Sequence, residues 1–403
     1  FVSIGVAAGE AGPSVVLAIA LAAAVAACNA LSSAQLAASH PVSGGTYEYG
    51  YRYLSPAFGF TAGWMFLCAK TASAATALLG FAGYLLQLLH AAPQWQSPLA
   101  VSAAIILTLL VASGLKRSSQ ANVAIVLVTG ASLLAFIAFG LPDLGDRGAG
   151  NFSPFFPQGV SVGSFLYATA LMFVAFAGYA RIATLSEEVS EPRRTIPRAI
   201  IITLCITAVL YMVVAVVAVG AVGAPGLSQA AETTATPLEA AGRALSAAWV
   251  GDFIAVGAIA AMLGVALNLV LGLSRVVLAM GRTGDLPSIF GRLDGRRATP
   301  LTAVIGVGLA IGILAMVGSV KTTWSFSAFS VLVYYAITNL AALRLPRGQR
   351  LFHPSVAIAG LAACLVLAFF VPPDIWLWGL ALIAGGLGWR ALSRRVWRRF
   401  KTR

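Results

Sequence analysis

The chain has 403 residues, 59 % of them hydrophobic and 10 % charged, with a formal net charge of +13. Soluble domains carry about 25 % charged residues, so this composition excludes an ordinary soluble enzyme, a disordered regulator and a nucleic-acid reader. The apolar residues would fill about twelve spans of roughly 20 residues each, and the sequence reads as an all-α integral membrane protein.

In chain order, a stub from Phe1 to Gly9 precedes Glu10. It is too short to cross a bilayer. The chain does not begin with Met, so we read the stub as the outer end of a first helix truncated in this chain, with a cleaved signal peptide as the alternative. Apolar runs follow at Pro13–Ala38, Ala57–Leu89, Pro98–Leu115, Ser119–Leu141, Val160–Leu185 and Arg198–Gly223. The series continues at Val250–Met280, Pro300–Gly318, Trp324–Leu343, Pro354–Val371 and Ile375–Leu392.

Charge sorts the loops. Alternate loops carry Arg52; Lys116 and Arg117; Arg193, Arg194 and Arg198; Arg282, Arg292, Arg296 and Arg297; and Arg344, Arg347 and Arg350. The basic tail beyond Arg390 belongs to the same set, while the other set holds only Arg147, Arg243 and Lys321. By the positive-inside rule the first set and the C-terminus are cytoplasmic. The tail is either a plain positive end or, with Trp389, Trp397 and Phe400 among its arginines, a lipid-headgroup anchor.

Four cysteines lie singly in apolar runs and three histidines fall far apart near loops, so neither a disulfide framework nor a metal cluster is expected. No catalytic constellation or phosphate-binding G-x-x-x-x-G-K-[ST] motif occurs, and neither an enzyme nor direct ATP drive is expected. Ionisable residues inside spans are costly and mark candidate sites. Lys70 lies about 20 Å of helix into its span, too deep to snorkel comfortably. It reads either as a coupling cation or proton carrier or as a lysine satisfied by backbone carbonyls. Arg275, close to the loop at Gly281–Asp285, reads as structural. Arg181 follows the small-residue stretch Ala175-Phe176-Ala177-Gly178-Tyr179-Ala180, which either unwinds near the midplane or marks close helix packing.

Four segments then resemble the amino acid–polyamine–organocation permeases, secondary transporters of the leucine-transporter fold. Pro41-Val42-Ser43-Gly44-Gly45-Thr46-Tyr47-Glu48-Tyr49 is similar to the loop after the family's second span, and Phe176-Ala177-Gly178-Tyr179 to the break in its sixth. Glu187-Glu188-Val189 with Pro192 and Thr195-Ile196-Pro197 resembles the following loop. Ser274-Arg275, Ala279-Met280 and Gly284-Asp285-Leu286-Pro287 resemble the end of the eighth span. The four stand in the family's order along essentially the whole chain.

The resemblance implies about twelve transmembrane helices, the first ten as a five-plus-five inverted repeat. On this chain that gives a remnant of the first repeat over 1–141, the second over 160–343, two last spans over 354–392 and a basic tail over 393–403. It implies a substrate site where spans one and six unwind, carried here by Phe176, Ala177, Gly178, Tyr179, Ala180 and Arg181, with Tyr179 as gate or pocket wall. Glu187, Glu188 and Arg52 become inner-gate candidates. The family's frequent span-five lysine aligns with Thr129, and span eight offers Asn268 where hydroxyls would hold sodium. Lys70, Thr129 and Asn268 are therefore the coupling candidates, with Lys70 expected to supply the charge that position 129 lacks. No acid follows the break, so neutral, or else anionic, amino acids are expected over amines, polyamines or cationic amino acids. The expected activity is exchange or proton-linked symport without a cofactor, against the alternative of a non-transporting sensor. The abundance of arginine over lysine points to a bacterial inner membrane.

Overall fold

The computed structural model describes residues 1–40, 44–114, 119–179, 192–294 and 299–401, and the described residues contain helices and no strand. Every apolar run of the sequence forms a helix. They are α1 (Ser3–Ala11), α2 (Val15–Ser39), α3 (Thr46–Tyr53), α4 (Pro56–Leu88), α5 (Gln96–Ala112), α6 (Ser119–Asp143), α7 (Gly145–Gly150) and α8 (Val162–Phe176). Then come α9 (Pro192–Thr233), α10 (Pro237–Arg243), α11 (Trp249–Arg282), α12 (Leu301–Val317), α13 (Val320–Leu343), α14 (Pro354–Phe369) and α15 (Pro373–Lys401). Among the described residues nine helical stretches are long and apolar enough to cross a membrane, and α12 and α14 are shorter apolar helices.

Local chemistry sets the ends. Gly12 sits at φ 61°, a conformation open to glycine, and with Pro13 it separates α1 from α2. Ser55 accepts from the Phe58 N–H ahead of Pro56 to start α4, and Ser161 accepts from Ser164 to start α8. At α13 Ser319 and Thr322 cap each other reciprocally. Gly223, at φ 70°, kinks α9.

Numbering the apolar helices one to twelve in chain order, the nine-residue α1 included (α1, α2, α4, α5, α6, α8, α9, α11, α12, α13, α14, α15), the packing is reciprocal. Span one meets six, two meets seven, three meets eight and four meets nine. Contacts also recur when five is added or subtracted: three with ten is answered by eight with five, and two with six by seven with one. The core lies among α1, α2, α4, α8 and α13, where small residues let backbones approach; Ala18, Ala22, Ala26, Ala74 and Ala328 are fully buried. Large apolar side chains such as Ile106, Leu127 and Ile206 face outward from α5, α6 and α9, as lipid contact requires.

The two loop sets occupy opposite ends. One end is joined by Glu10–Lys321, Arg243–Asp252 and Asp143 with Ser246. The other is joined by Ser39 with Gln349 and by Arg390–Asp285. We call them the Glu10 end and the Asp285 end. Three short helices were not expected from the apolar pattern. α3 forms in the predicted loop after span two, α7 between spans five and six, and α10 between spans seven and eight.

Candidate functional site

Within the span expected over Val160–Leu185 the α-helix runs to Phe176 and then tightens into a 3-10 turn, Ala177–Tyr179, the last residues described before Pro192. The Ala177 N–H bonds the Val174 carbonyl, so the last turn closes on i−3 rather than i−4. Gly178 is exposed, and a Cβ there would meet no atom within 4 Å. Open space therefore lies beside the backbone at the expected break.

Aromatic rings from three helices, α8, α9 and α13, lie about this turn. The Tyr335 ring lies 5.5 Å from Tyr179, 5.6 Å from Phe173 and 5.1 Å from Tyr334. Its hydroxyl donates to the Ala177 carbonyl at 3.4 Å, and Tyr211, whose ring is 5.1 Å from Phe176, donates to Ala175 at 3.5 Å. Two carbonyls at the break are thus taken by tyrosine hydroxyls. The Tyr179 hydroxyl is buried and makes no well-formed hydrogen bond, with the Tyr335 hydroxyl as its polar neighbour. A buried polar group left so is a candidate to meet a ligand or water.

Of the predicted site residues, Phe176, Ala177, Gly178 and Tyr179 come together at this turn, whereas Ala180, Arg181, Glu187 and Glu188 lie outside the described residues. Arg52 is exposed on α3, its guanidinium 5.8 Å from the Tyr53 ring. Arg275 is exposed on α11.

The coupling candidates lie apart from one another. Thr129 donates to the Gly257 carbonyl at 3.5 Å, and Asn268 donates to Asn122 at 3.0 Å and to the Gly264 carbonyl at 2.8 Å, all between α6 and α11. Lys70 is half-buried on α4. Gly80 and Gly63 of α4 lie against Met262 and Met280 of α11, which puts Lys70 level with the neighbourhood of Leu273. Thr129 meets α11 at Gly257, roughly 20–25 Å away along that helix. Lys70 therefore does not occupy the place of residue 129. Sequence alignment cannot see this separation, because it compares positions within a span and not levels between spans.

A second cluster was missed. At the Asp285 end, the Tyr47 and Tyr51 hydroxyls of α3 donate to the Asp285 carboxylate at 2.8 and 2.5 Å, and Arg390 of α15 pairs with it at 3.4 Å. Asp285 is 1 % exposed and Arg390 7 %. Burial, then the bond to Asp285, pushes the Tyr51 phenol up to about 12, so it stays a donor at any physiological pH. The sequence signal was present in the Tyr47-Glu48-Tyr49-Gly50-Tyr51 spacing, which puts two hydroxyls one helical turn apart. Nothing local pointed to Arg390, one arginine in a basic tail.

At the Glu10 end, Glu239 of α10 is 1 % exposed and pairs with Arg243 at 2.9 Å. Desolvation raises its carboxyl to about 7 despite the opposing pull of Arg243.

A bundle of long apolar helices, one of them tightening to a 3-10 turn among aromatic rings, is the architecture of a multi-pass membrane transporter. The Amino acid permease family model matches residues 1–387. The chain is 38 % identical, over 99 % of its length and 88 % of the relative, to an uncharacterized transporter of Mycobacterium tuberculosis. It is 29 % identical to a methylthioribose transporter of Bacillus subtilis (94 % of this chain, 86 % of that one) and 27 % identical to a branched-chain amino acid permease of the same organism (83 % and 76 %). The protein belongs to the amino acid permease family, and it is a transporter and not an enzyme.

Proposed function

We propose that the protein moves neutral amino acids across a bacterial inner membrane, by exchange or proton-linked symport, with alternating access around broken spans one and six. The observation that carries this reading is the turn at Ala177–Tyr179, where a Cβ on Gly178 would meet no atom within 4 Å and the neighbouring Tyr179 packs its ring on Tyr335. Small zwitterions suit backbone groups at a helix break. The reciprocal packing of spans one to five with six to ten supports the inverted repeat that such a cycle uses.

Charge selects the substrate class. Among the described residues the acids sit at helix ends or in loops, as with Glu10, Glu232, Asp252, Asp285 and Asp374, and none lies beside the break. A cationic amino acid would find no acidic counter-charge among the described residues beside the break, and an uncompensated charge at membrane depth is costly. The branched-chain permease among the relatives supports the same class. With the basic loop set inside, the Asp285 end and the C-terminus face the cytoplasm.

Counterflow in proteoliposomes tests the proposal. Vesicles containing the full-length protein are loaded with unlabelled neutral amino acids, and a labelled one is offered outside with no ion gradient. Transient accumulation is expected, and it should vanish when vesicles are loaded with arginine or putrescine instead. Accumulation driven equally well by arginine would overturn the substrate class, and none with any amino acid would overturn transport of amino acids.

A further inference from the structure

At the Glu10 end, the last turn of α1, the first turns of α8 and the connection from α14 to α15 enclose a cavity of about 320 Å³. Breaks in the sequence build it. Gly12 and Pro13 follow α1 just after Glu10, and Pro372 lies between α14 and α15, which opens on Pro373. Gly163, in the first turn of α8, has no side chain, and a Cβ there would lie 3.4 Å from the Phe370 ring. That close approach seats the α14–α15 connection on α8.

The walls are aromatic and the charge is acidic. Tyr167, Phe369, Phe370 and Trp376 line the cavity together with Glu10. Phe369 and Phe370 pack edge to face at 5.7 Å, and the Tyr167 hydroxyl is bonded to Ser325, so these rings are braced. Lys321 Nζ meets Glu10 Oε1 at 2.7 Å but is not among the lining residues. A carboxylate has room for about four hydrogen bonds, so one lysine does not exhaust it. Asp374, exposed beside Pro373, adds a second negative charge at the rim.

The cavity also lies at the lipid boundary. Ile358, Leu365 and Phe369 of α14 are exposed and fall at i, i+7 and i+11, one apolar stripe that ends at the cavity. Trp376 and the exposed Trp378 sit at the start of α15, where aromatic side chains mark the level of lipid headgroups. Ring faces attract a cation, and the carboxylate accepts from its N–H groups. An anion would meet both with the wrong sign.

We propose that this cavity binds the ammonium of a membrane aminophospholipid of the phosphatidylethanolamine type, with its acyl chains along the α14 stripe. The guest touches the outer ends of spans one and six and the connection between spans eleven and twelve, so it ties the substrate-site helices to the periphery of the bundle. The proposal goes beyond the transport reading and stands whichever solute is carried.

The full-length protein in detergent is titrated separately with dihexanoyl phosphatidylethanolamine, dihexanoyl phosphatidylglycerol and ethanolamine, and melting temperature and tryptophan fluorescence are read. A ligand of the folded state raises the melting temperature, and the ethanolamine lipid should do so saturably where the glycerol lipid does not. Glu10→Gln and Trp376→Ala should each weaken its apparent affinity by about fivefold or more. Lys321→Ala, outside the lining, should keep that affinity within about twofold. Equal responses to the two lipids would overturn the proposal, as would undiminished affinity in Glu10→Gln or in Trp376→Ala. Loss confined to Lys321→Ala would assign the response to phosphate and overturn it too. Ethanolamine acting at the same concentration as its lipid would overturn the lipid as the source and assign the cavity to free amines. Were Glu10→Gln not to fold, Trp376→Ala decides, because its half-buried ring borders the cavity and forms none of the ion pairs.

Discussion

The two ends of the bundle close by different electrostatics. At the Asp285 end a carboxylate 1 % exposed takes two tyrosine hydroxyls and an arginine that is itself 7 % exposed. At the Glu10 end the pairs that join different elements are wet: Lys321 and Glu10, 2.7 Å apart, have side chains 47 % and 23 % exposed, and Arg243 and Asp252 are 37 % and 57 % exposed. A buried pair is hard to part because each charge must be resolvated or left alone, whereas an exposed pair trades easily with water. The lesson is that closing contacts of similar length need not resist opening equally. The Asp285 end ties three elements, α3, the α11–α12 connection and α15, into one desolvated knot.

The largest effect should come from cutting that knot. Arg390→Ala leaves Asp285 buried without its cation, a loss of about 3–5 kcal/mol for an unsupported buried charge, with the low end expected because Tyr47 and Tyr51 still donate. The melting temperature in detergent should drop by several degrees, and a single cysteine introduced at Thr283 should label faster. Labelling and melting unchanged from wild type would show that the knot is not a closure. Replacing Tyr47 and Tyr51 together by Phe should have the same sign and a smaller size.

A middle-sized effect should come from pH at the Glu10 end. The Glu239 carboxyl is raised to about 7, above its ordinary 4.5, by desolvation. A folded state that holds its proton more tightly than the unfolded chain has its full stabilisation below about 4.5, and loses it as pH rises through about 7. Thermal stability should therefore fall between those values, and Glu239→Gln, which carries no charge to bury, should flatten that decline. A wild-type melting curve rising over the same window would contradict the assignment.

The smallest effect should come from Lys321→Ala. An exposed pair contributes about 0–1 kcal/mol, and salt weakens it further. Stability should move by under a degree or two, and any change in transport rate should shrink as ionic strength rises. An effect as large as that of Arg390→Ala would erase the contrast between the ends.

The sequence by itself determined the class, the number and order of the apolar helices, the separation of the loops into two sets and the place of the break at Ala177–Tyr179. Each is a local property: hydropathy within about 20 residues, charge within a loop, a glycine among small residues. The Arg390–Asp285 pair, the Tyr335 hydroxyl on the Ala177 carbonyl and the Ser73–Ser327 bond belong to the tertiary structure. So does the distance between Lys70 and Thr129. These depend on which helices are neighbours and in what register they lie, and register is fixed by packing between segments tens to hundreds of residues apart. Hydroxyls three and four residues apart mark a face of α13 in the sequence; only packing against α4 determines what that face meets.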